Sequence, residues 1–255
     1  MSTVEVVPSS TRFRALKLMI AAAALYLVLR LAGFHKLFEN DAEGVGALLG
    51  IIGTLYSVVY AFATFVIWGQ FAGVEDDIQK ESGTLKDLIQ FSRGLKEATR
   101  DPIVHAVRGY ARVVAESEWG ALSRGEDTET TDKLFAGIIG SVTEAKPADE
   151  AERAIYEQLL EIANQASAHR DERLALSRKR MPRTLLLFVR LTAFTILFLL
   201  FFFPFHNLAL GLVSVAITAM LLLLANFVLT DLDNPFEGTW NVNNRPFDDL
   251  ARKYR

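Results

Sequence analysis

Residues 184–203 read TLLLFVRLTAFTILFLLFFF, and residues 207–229 read NLALGLVSVAITAMLLLLANFVL. An α-helix of roughly 20 mostly apolar residues is long enough to cross a hydrocarbon core about 30 Å thick, and both stretches meet that length. The link between them, Pro204 to His206, is so short that the two helices must form an antiparallel hairpin. This part of the sequence therefore predicts two transmembrane helices.

Two further stretches, 16–33 and 46–68, have a similar length and composition. The first follows basic residues, as a signal peptide would, but its apolar run is longer than the about 7–15 residues of a signal peptide. The whole chain of 255 residues is 22% charged. Its mean hydropathy is nevertheless +0.24, so the apolar residues must be clustered. We expect four membrane spans.

The distribution of basic residues predicts the orientation of these spans. The loop 35–44 carries Lys36 against three carboxylates, whereas basic residues are frequent at the other ends of the spans. Those residues are Arg12, Arg14, Lys17, Arg178, Lys179, Arg180, Arg183, Arg245, Arg252, Lys253 and Arg255. Basic loops stay on the cytoplasmic side. Both termini and residues 70–183 are therefore predicted to lie in the cytoplasm, with the spans in an inner (plasma) membrane.

The polar residues 70–183 show apolar side chains at helical spacing. Span two has no turn signal after it, so we expect its helix to continue to about Leu95, and Asp101-Pro102 is predicted to begin the next helix. The stripe predicted to be buried on the continuing helix is Leu85, Leu88, Ile89 and Phe91. The fold class is all-α, a polytopic membrane protein with a helical cytoplasmic domain. Its predicted segments are 1–69, 70–183, the hairpin 184–230 and an irregular tail, 231–255.

Composition excludes several classes of function. The chain has no cysteine and only four histidines, which excludes thiolate metal sites and cysteine nucleophiles. A net charge of −3 gives no sign of a nucleic-acid partner. Phosphate-binding loops, dinucleotide-binding turns and hydrolase motifs are also missing from the sequence. We therefore expect a protein that is not an enzyme.

Two groups of residues resemble a known family. The first group, on and after span two, is GTLYSVVYAF at 53–62, Trp68, Glu81, LKDL at 85–88, Tyr110-Ala111 and Glu118-Trp119. The second group, after span four, is DLDNPFEG at 231–238 and RPF at 245–247. In these residues and in its span order, the chain resembles the bestrophin-like DUF4239 membrane proteins of bacteria. Bestrophins are homopentameric anion channels whose second transmembrane helix lines the pore. The resemblance thus implies a pentameric channel with helix two around the pore.

The sequence departs from bestrophins at one place. Bestrophins carry a basic residue after the Ala-Phe step of helix two, whereas uncharged residues such as Thr64 and Phe65 follow it here. Three carboxylates, Glu75, Asp76 and Asp77, lie farther along, at the predicted cytoplasmic exit. The resemblance favours anions and the acidic segment favours cations, so the sequence leaves the permeating ion open.

Small and mildly polar residues recur every three or four positions along span two. The candidate pore-lining residues are Gly50, Thr54, Ser57, Ala61, Thr64, Trp68 and Phe71. Such a stripe can form a pore wall, or it can allow close packing between helices. Trp68, Phe71 and Val74 can form an apolar gate, and Trp68 can equally be an interfacial anchor. Glu75, Asp76 and Asp77 are either an acidic ring at the pore mouth or a solvated helix face.

Two other features are candidate functional sites. Arg190 lies about two turns inside span three, where an ionised side chain is a functional candidate unless it reaches back to the headgroups. Asp231 and Asp233 begin the tail, but the spacing excludes an EF-hand. A looser calcium site shared with another subunit is one interpretation of these two carboxylates. A helix stop at Pro235 and Gly238 is the other.

The sequence as a whole predicts an ion channel. Its partners are the lipid bilayer, further copies of the chain and permeating inorganic ions, and calcium is the one cofactor considered. The alternative function is a membrane-anchored scaffold or sensor whose cytoplasmic helices bind a protein partner. A membrane-embedded transporter is disfavoured because no span is broken by proline.

Overall fold

The computed structural model describes residues 9–126 and 129–253, and every regular element within these ranges is helical. The chain forms two compact units. The apolar unit consists of Met1–Trp68 and Arg180–Asp233, and the polar unit of Gly69–Lys179 and Asn234–Arg255. The tail after Asp233 is thus part of the polar unit and does not form a segment of its own.

Long apolar helices make up the apolar unit. They are α1 (Ser9–Leu31), a 3₁₀ helix (Phe34–Asp41), the first half of α2 (Ala42–Ser92), α7 (Arg183–Phe202) and α8 (Leu208–Leu232). The hairpin link ends at Asn207, whose side-chain oxygen accepts hydrogen bonds from the backbone N–H groups of Ala209 (2.8 Å) and Leu210 (3.3 Å). This cap satisfies two N–H groups that the first turn of α8 leaves free.

The core of the apolar unit lies between α1 and α8. It contains Ala22 and Tyr26 from α1, and Val215 and Ala219 from α8. Tyr26 is fully buried and its ring lies directly on Gly211, where a Cβ atom would come within 2.0 Å of the Tyr26 hydroxyl oxygen. Glycine is therefore required at this crossing because the ring occupies the space of a side chain.

Three helical stretches among the described residues are long and apolar enough to cross a membrane. They are Lys36–Ser92, Glu150–Phe202 and Leu208–Leu232. Each contains one of the predicted spans two, three and four. Helix α1 contains the charged Lys17 and Arg30 and is not among the three stretches, so its role as a fourth span stays a prediction.

Helix α2 is continuous over 51 residues, which corresponds to about 75 Å. The predicted continuation of span two is confirmed, although the helix ends at Ser92 and not at Leu95. Leu85, Leu88 and Ile89 are buried as predicted. Phe91 is exposed, because the helical repeat places Ser92 on the buried face in its stead.

The described residues of the polar unit form six further helical elements. They are α3 (Glu97–Val113), a π-helical turn (Val114–Glu118), α4 (Trp119–Arg124), α5 (Glu129–Thr143), α6 (Glu150–Arg178) and α9 (Arg245–Lys253). The predicted start of α3 at Pro102 is wrong. The backbone N–H of Lys96 donates to Glu152 Oε1 at 3.2 Å, and the helix begins directly after this anchored residue.

Helix α9 corrects the prediction of an irregular tail. Its buried residues Phe247, Leu250 and Ala251 follow helical spacing, and its exposed face carries pairs such as Asp248 Oδ1 with Arg252 Nε at 2.8 Å. A nine-residue helix shows so few apolar repeats that its period is hard to recognise in the sequence.

Candidate functional site

The part of α2 in the apolar unit has one buried face and two exposed stripes. The buried face consists of Val45, Tyr56, Ala63 and Ile67. The small stripe consists of Gly50, Thr54, Ser57 and Ala61, all exposed. The large stripe consists of Ile51, Leu55, Val58, Phe62 and Phe65, also exposed. Within a single chain, most of this helix surface has no covering partner.

The small residues of α2 are not explained by packing inside one chain. A Cβ atom at Gly50 or at Gly53 would have no other atom within 4 Å, so either position has room for a side chain. Gly46 differs, because a Cβ there would lie 3.6 Å from the ring of Phe203. Packing within the chain therefore does not require glycine at Gly50 or Gly53.

The hydroxyl groups along this side of α2 bond back to their own helix. Thr54 Oγ1 donates to the carbonyl of Gly50 and Ser57 Oγ to that of Gly53, both at 2.8 Å. Because the proton is engaged in the helix, the oxygen lone pairs are directed outward. The half-buried Thr64 makes the same bond to Tyr60 at 2.9 Å. The stripe thus offers hydrogen-bond acceptors to a cation or to water.

The predicted gate residues lie in different environments. Trp68 is 47% exposed, whereas Phe71 is 8% exposed and Val74 is fully buried. A side chain packed inside its own unit cannot face a lumen. The burial of Phe71 therefore disagrees with its predicted place in the pore lining, and the predicted apolar gate is not supported at Phe71 and Val74.

The three acidic residues also differ from one another. Glu75 is exposed, and Asp76 is exposed and paired with Lys80 Nζ at 2.5 Å. Asp77 is 5% exposed, and its carboxylate lies close to His169 and Glu172 of α6. An acidic ring on the outer surface can therefore include Glu75 and Asp76, but not Asp77.

Arg190 is exposed on α7, and its Nε donates to Asn226 Oδ1 on α8 at 3.1 Å. The hydrogen bond joins the two helices of the hairpin and gives the guanidinium a polar partner within the apolar unit. This contact gives Arg190 a role in packing that the sequence did not suggest.

Asp233 stabilises the backbone where α8 ends. Its Oδ1 accepts a hydrogen bond from the backbone N–H of Met181 at 2.6 Å, just before α7 begins. The carboxylate is thus already used within the apolar unit, in agreement with the helix-stop interpretation. Calcium binding by Asp231 and Asp233 stays a prediction.

A buried ionic cluster organises the polar unit. We call Glu81, Tyr110, Glu118, Arg170 and Arg173 the Arg173 cluster. Arg173 is completely buried, and its Nε donates to Glu81 Oε2 at 2.6 Å, while its Nη2 donates to Glu118 Oε2 at 3.3 Å. Tyr110 donates to Glu81 Oε1 at 2.5 Å. One cation thus joins carboxylates from α2 and from the π-helical turn after α3.

Aromatic rings and a second arginine enclose this cluster. The guanidinium carbon of Arg173 lies 5.9 Å from the ring centre of Trp119 and 5.5 Å from that of Phe247. Arg170 donates to the Tyr110 hydroxyl oxygen at 3.1 Å and also pairs with Asp132. The Trp119 and Phe247 rings, which also contact each other, thus lie within cation–π distance of the buried guanidinium and favour its charged form.

The titration behaviour follows from this environment. Burial disfavours a charged Arg173, but the charges of its neighbours, Glu81 above all, raise the pKa of Arg173 well above its usual value. Burial raises the pKa of Glu118 by more than the charge of Arg173 lowers it. Burial likewise raises the pKa of Tyr110 well above its usual value, so the phenol remains a donor.

Sequence reasoning did not identify the Arg173 cluster, although it used several of its members. Glu81, Tyr110, Glu118, Trp119 and Phe247 carry the family resemblance, and all of them meet around Arg173. A usable signal was present on α6. Its buried stripe, Leu159, Ile162, Ala163 and Ala166, continues at the same spacing through Arg170 and Arg173. Arginines at core positions of a helix indicate buried carboxylate partners.

Comparison with known proteins assigns the family. A sequence model of the bestrophin-like domain matches residues 16–247. None of the curated proteins matches this chain. The fold is similar to the crystal structure of a bacterial bestrophin homologue from Klebsiella pneumoniae that carries one substitution. The two sequences are 10% identical and the TM-score is 0.76. The match covers 94% of this chain and 99% of the homologue. A second variant of that homologue is 12% identical, with a TM-score of 0.71 and coverages of 92% and 97%.

A crystal structure described as a membrane protein is similar as well. It is 10% identical to this chain, with a TM-score of 0.74, and covers 97% of this chain and 98% of its own. At these identities the structural likeness concerns the fold, whereas the family model matches the sequence over almost the whole chain. The chain is therefore a helical membrane protein that belongs to the bestrophin-like family.

Proposed function

We propose that this protein is a homo-oligomeric ion channel, with five copies arranged so that α2 lines a central pore. The observation that carries the proposal is the small stripe of α2, which is exposed and needs no small side chains for packing within its own chain. Bestrophins are a channel family, so conduction is also the function expected at family level. No catalytic chemistry is required of the chain.

Geometry supports a ring of copies. A single α2 cannot enclose a lumen, and its large stripe is too apolar to face water. In a ring, the large stripe would contact a neighbouring copy or lipid, while the small stripe would leave space for hydrated ions. We place the ring in the bacterial inner membrane, with the termini and the polar unit in the cytoplasm.

Charge complementarity favours cations in this ring. Glu75 and Asp76 are exposed beyond the small stripe, and the stripe itself offers hydroxyl acceptors. Repeated in five copies, these carboxylates would concentrate cations at a pore mouth. The family resemblance favours anions, and the basic residue expected after the Ala-Phe step is missing from this chain.

The test is planar-bilayer recording of the purified oligomer in asymmetric KCl, with its mass measured independently. We expect a unitary current from a ring of about five copies, and its reversal potential decides between potassium and chloride. A monomer or dimer would contradict the pore. A well-formed ring that is silent across calcium concentration and pH would favour the rival proposal of a scaffold or sensor.

Tryptophan in the small stripe is expected to block the pore. Ser57→Trp and Ala61→Trp each add an indole to an exposed position of α2, where five copies would fill the lumen. Unitary conductance should fall by at least about tenfold while the oligomer mass is unchanged. The matched control is Phe65→Trp on the large stripe, which should conduct normally. Normal currents from both stripe variants would place the pore elsewhere.

Charge reversal at the acidic segment is expected to change selectivity. Glu75→Lys replaces an exposed carboxylate by an ammonium group, so a pore mouth would then repel cations. The reversal potential in asymmetric KCl should shift toward the chloride potential. Asp87→Lys, at an exposed position farther along α2, is the control and should leave it unchanged. An equal shift in both variants would show that only net charge matters.

We propose that Asp231 and Asp233 bind calcium only if residues of another subunit complete the site. Asp231→Asn leaves the Asp233 contact with Met181 intact and is therefore the informative substitution. A calcium-dependent rise in the melting temperature of the oligomer should be lost in this variant. A parent protein that shows no such rise would end this proposal.

A further inference from the structure

Three potential metal ligands meet between α2 and α6 of the polar unit. Asp77 comes from α2, and His169 and Glu172 come from α6. Residues three positions apart lie on the same face of a helix, so the two α6 side chains point in a common direction. The sequence separates Asp77 from the other two by more than ninety positions, and the fold brings them together.

The spacing of the ligand atoms suits one metal ion. One ligand atom from each residue lies within 4.8 Å of the other two, and His169 Nδ1 is 3.7 Å from Glu172 Oε2. Bonds of about 2.0–2.2 Å in a tetrahedral site place ligand atoms about 3.3–3.6 Å apart. The pair on α6 is already close to this spacing, and an Asp77 oxygen lies within 4.8 Å of both atoms.

Two of these groups lack a hydrogen bond. Asp77 is 5% exposed and makes no hydrogen bond with any residue that the structure describes. His169 Nδ1 is buried and, among the described residues, also has no hydrogen-bond partner. Buried polar atoms are normally satisfied, so this imidazole nitrogen needs a partner. A metal ion that accepts electron pairs from both groups would supply it.

The local charge also favours a cation. The fold places the Asp77 and Glu172 carboxylates in one cluster, where like charges disfavour each other. Lys80 is nearby, but its ammonium group pairs with Asp76 at 2.5 Å. A divalent ion would neutralise Asp77 and Glu172 together.

Solvent can reach this cluster. A groove of about 380 Å³ is lined by Asp77, Glu172 and their neighbours on both helices. These neighbours are Gly73, Asp76, Ala175, Leu176 and Lys179. The groove gives an ion a path to the ligands and leaves room for a bound water molecule.

We propose that Asp77, His169 and Glu172 bind a divalent cation of the zinc class, with water from the groove as the fourth ligand. An imidazole nitrogen beside two carboxylates suits zinc, whereas calcium prefers six to eight oxygen ligands. The site joins α2 to α6 within the polar unit. It is separate from the calcium prediction at Asp231 and Asp233, and it does not depend on conduction.

Isothermal titration of the full-length protein in detergent with ZnCl₂ tests the proposal. We expect one zinc ion per chain, not displaced by calcium or magnesium in excess. Asp77→Asn and His169→Gln should each weaken zinc binding by more than about 100-fold. Mutation of a residue that only hydrogen-bonds to a metal ligand already lowers metal affinity by about 10- to 100-fold. The control is Asp171→Asn, an exposed carboxylate on α6, which should bind zinc like the parent.

Two further measurements keep this test decisive. The metal-free Asp77→Asn variant should melt no lower than the parent, because the substitution removes the repulsion between the Asp77 and Glu172 carboxylates. Cobalt(II) should give visible absorption bands of a tetrahedral site in the parent and not in His169→Gln. Absence of zinc binding by the parent, or parent-like binding by folded Asp77→Asn and His169→Gln, would overturn the proposal.

Discussion

Replacing Arg173 by methionine is expected to destabilise the polar unit by about 3–5 kcal/mol, because breaking a buried ion pair leaves its partners as uncompensated charges. Glu81 and Glu118 would both lose the cation between them, and neither has access to solvent. Methionine keeps much of the volume beside the rings of Trp119 and Phe247. The loss of stability therefore comes more from the unpaired charges than from a cavity. Urea denaturation followed by tryptophan fluorescence measures it.

A compensated variant separates charge from shape in this cluster. Arg173→Met combined with Glu81→Gln and Glu118→Gln removes this cation together with its two carboxylate partners, while Arg170 keeps its pair with Asp132. The stability of this variant should recover most of the loss. Lys86→Met on the exposed face of α2 is the control and should change little. If Arg173→Met unfolds at the same urea concentration as the parent, the ionic cluster does not stabilise the unit.

Replacing Gly211 by alanine is the second change expected to be large, and its effect falls on the apolar unit. The new Cβ atom would lie 2.0 Å from the hydroxyl oxygen of Tyr26 and 2.6 Å from its ring carbon Cζ. Tyr26 is fully buried against Val215 and Ala219, so the ring has little room to move away. Overpacking of this kind costs about 1–3 kcal/mol or more, and thermal unfolding in detergent should show a lower midpoint.

Matched variants test the cause of that loss. Gly53→Ala also adds a methyl group to an apolar helix, but its Cβ meets nothing within 4 Å, so the melting midpoint should not fall. Tyr26→Leu combined with Gly211→Ala removes the ring from the crossing and should regain part of the stability. A Gly211→Ala protein that melts like Gly53→Ala would show that α1 and α8 separate easily at this point.

The apolar helices could be predicted from the sequence because one property, the length of an apolar run, determines them. The hairpin of α7 and α8 and the unbroken α2 follow from such runs, and the helical fold class is confirmed by the structure and by the bestrophin homologues. Gly50, Thr54, Ser57 and Ala61, which recur at helical spacing in the sequence, are all exposed. Its assignment to a pore stays a proposal.

The polar unit was harder to predict because its packing joins residues far apart in the chain. Periodicity along α2 did not reveal that Asp77 points toward α6, while Glu75 and Asp76, directly before it, stay exposed. It also did not show that Val74 is fully buried. Which face of a helix is covered depends on the neighbouring helices, and a single sequence does not specify them.

The Arg173 cluster also determines when this protein can finish folding during its synthesis. Glu81 precedes Arg173 by 92 residues, and a ribosome adding about 5–20 residues per second needs about 5–18 s to make that stretch. Phe247, which packs on the guanidinium, follows later still, after both helices of the hairpin. The ion pairs of Arg173 can therefore form before α7 and α8 are synthesised, whereas the packing of Phe247 on the guanidinium must wait until both apolar helices have been made.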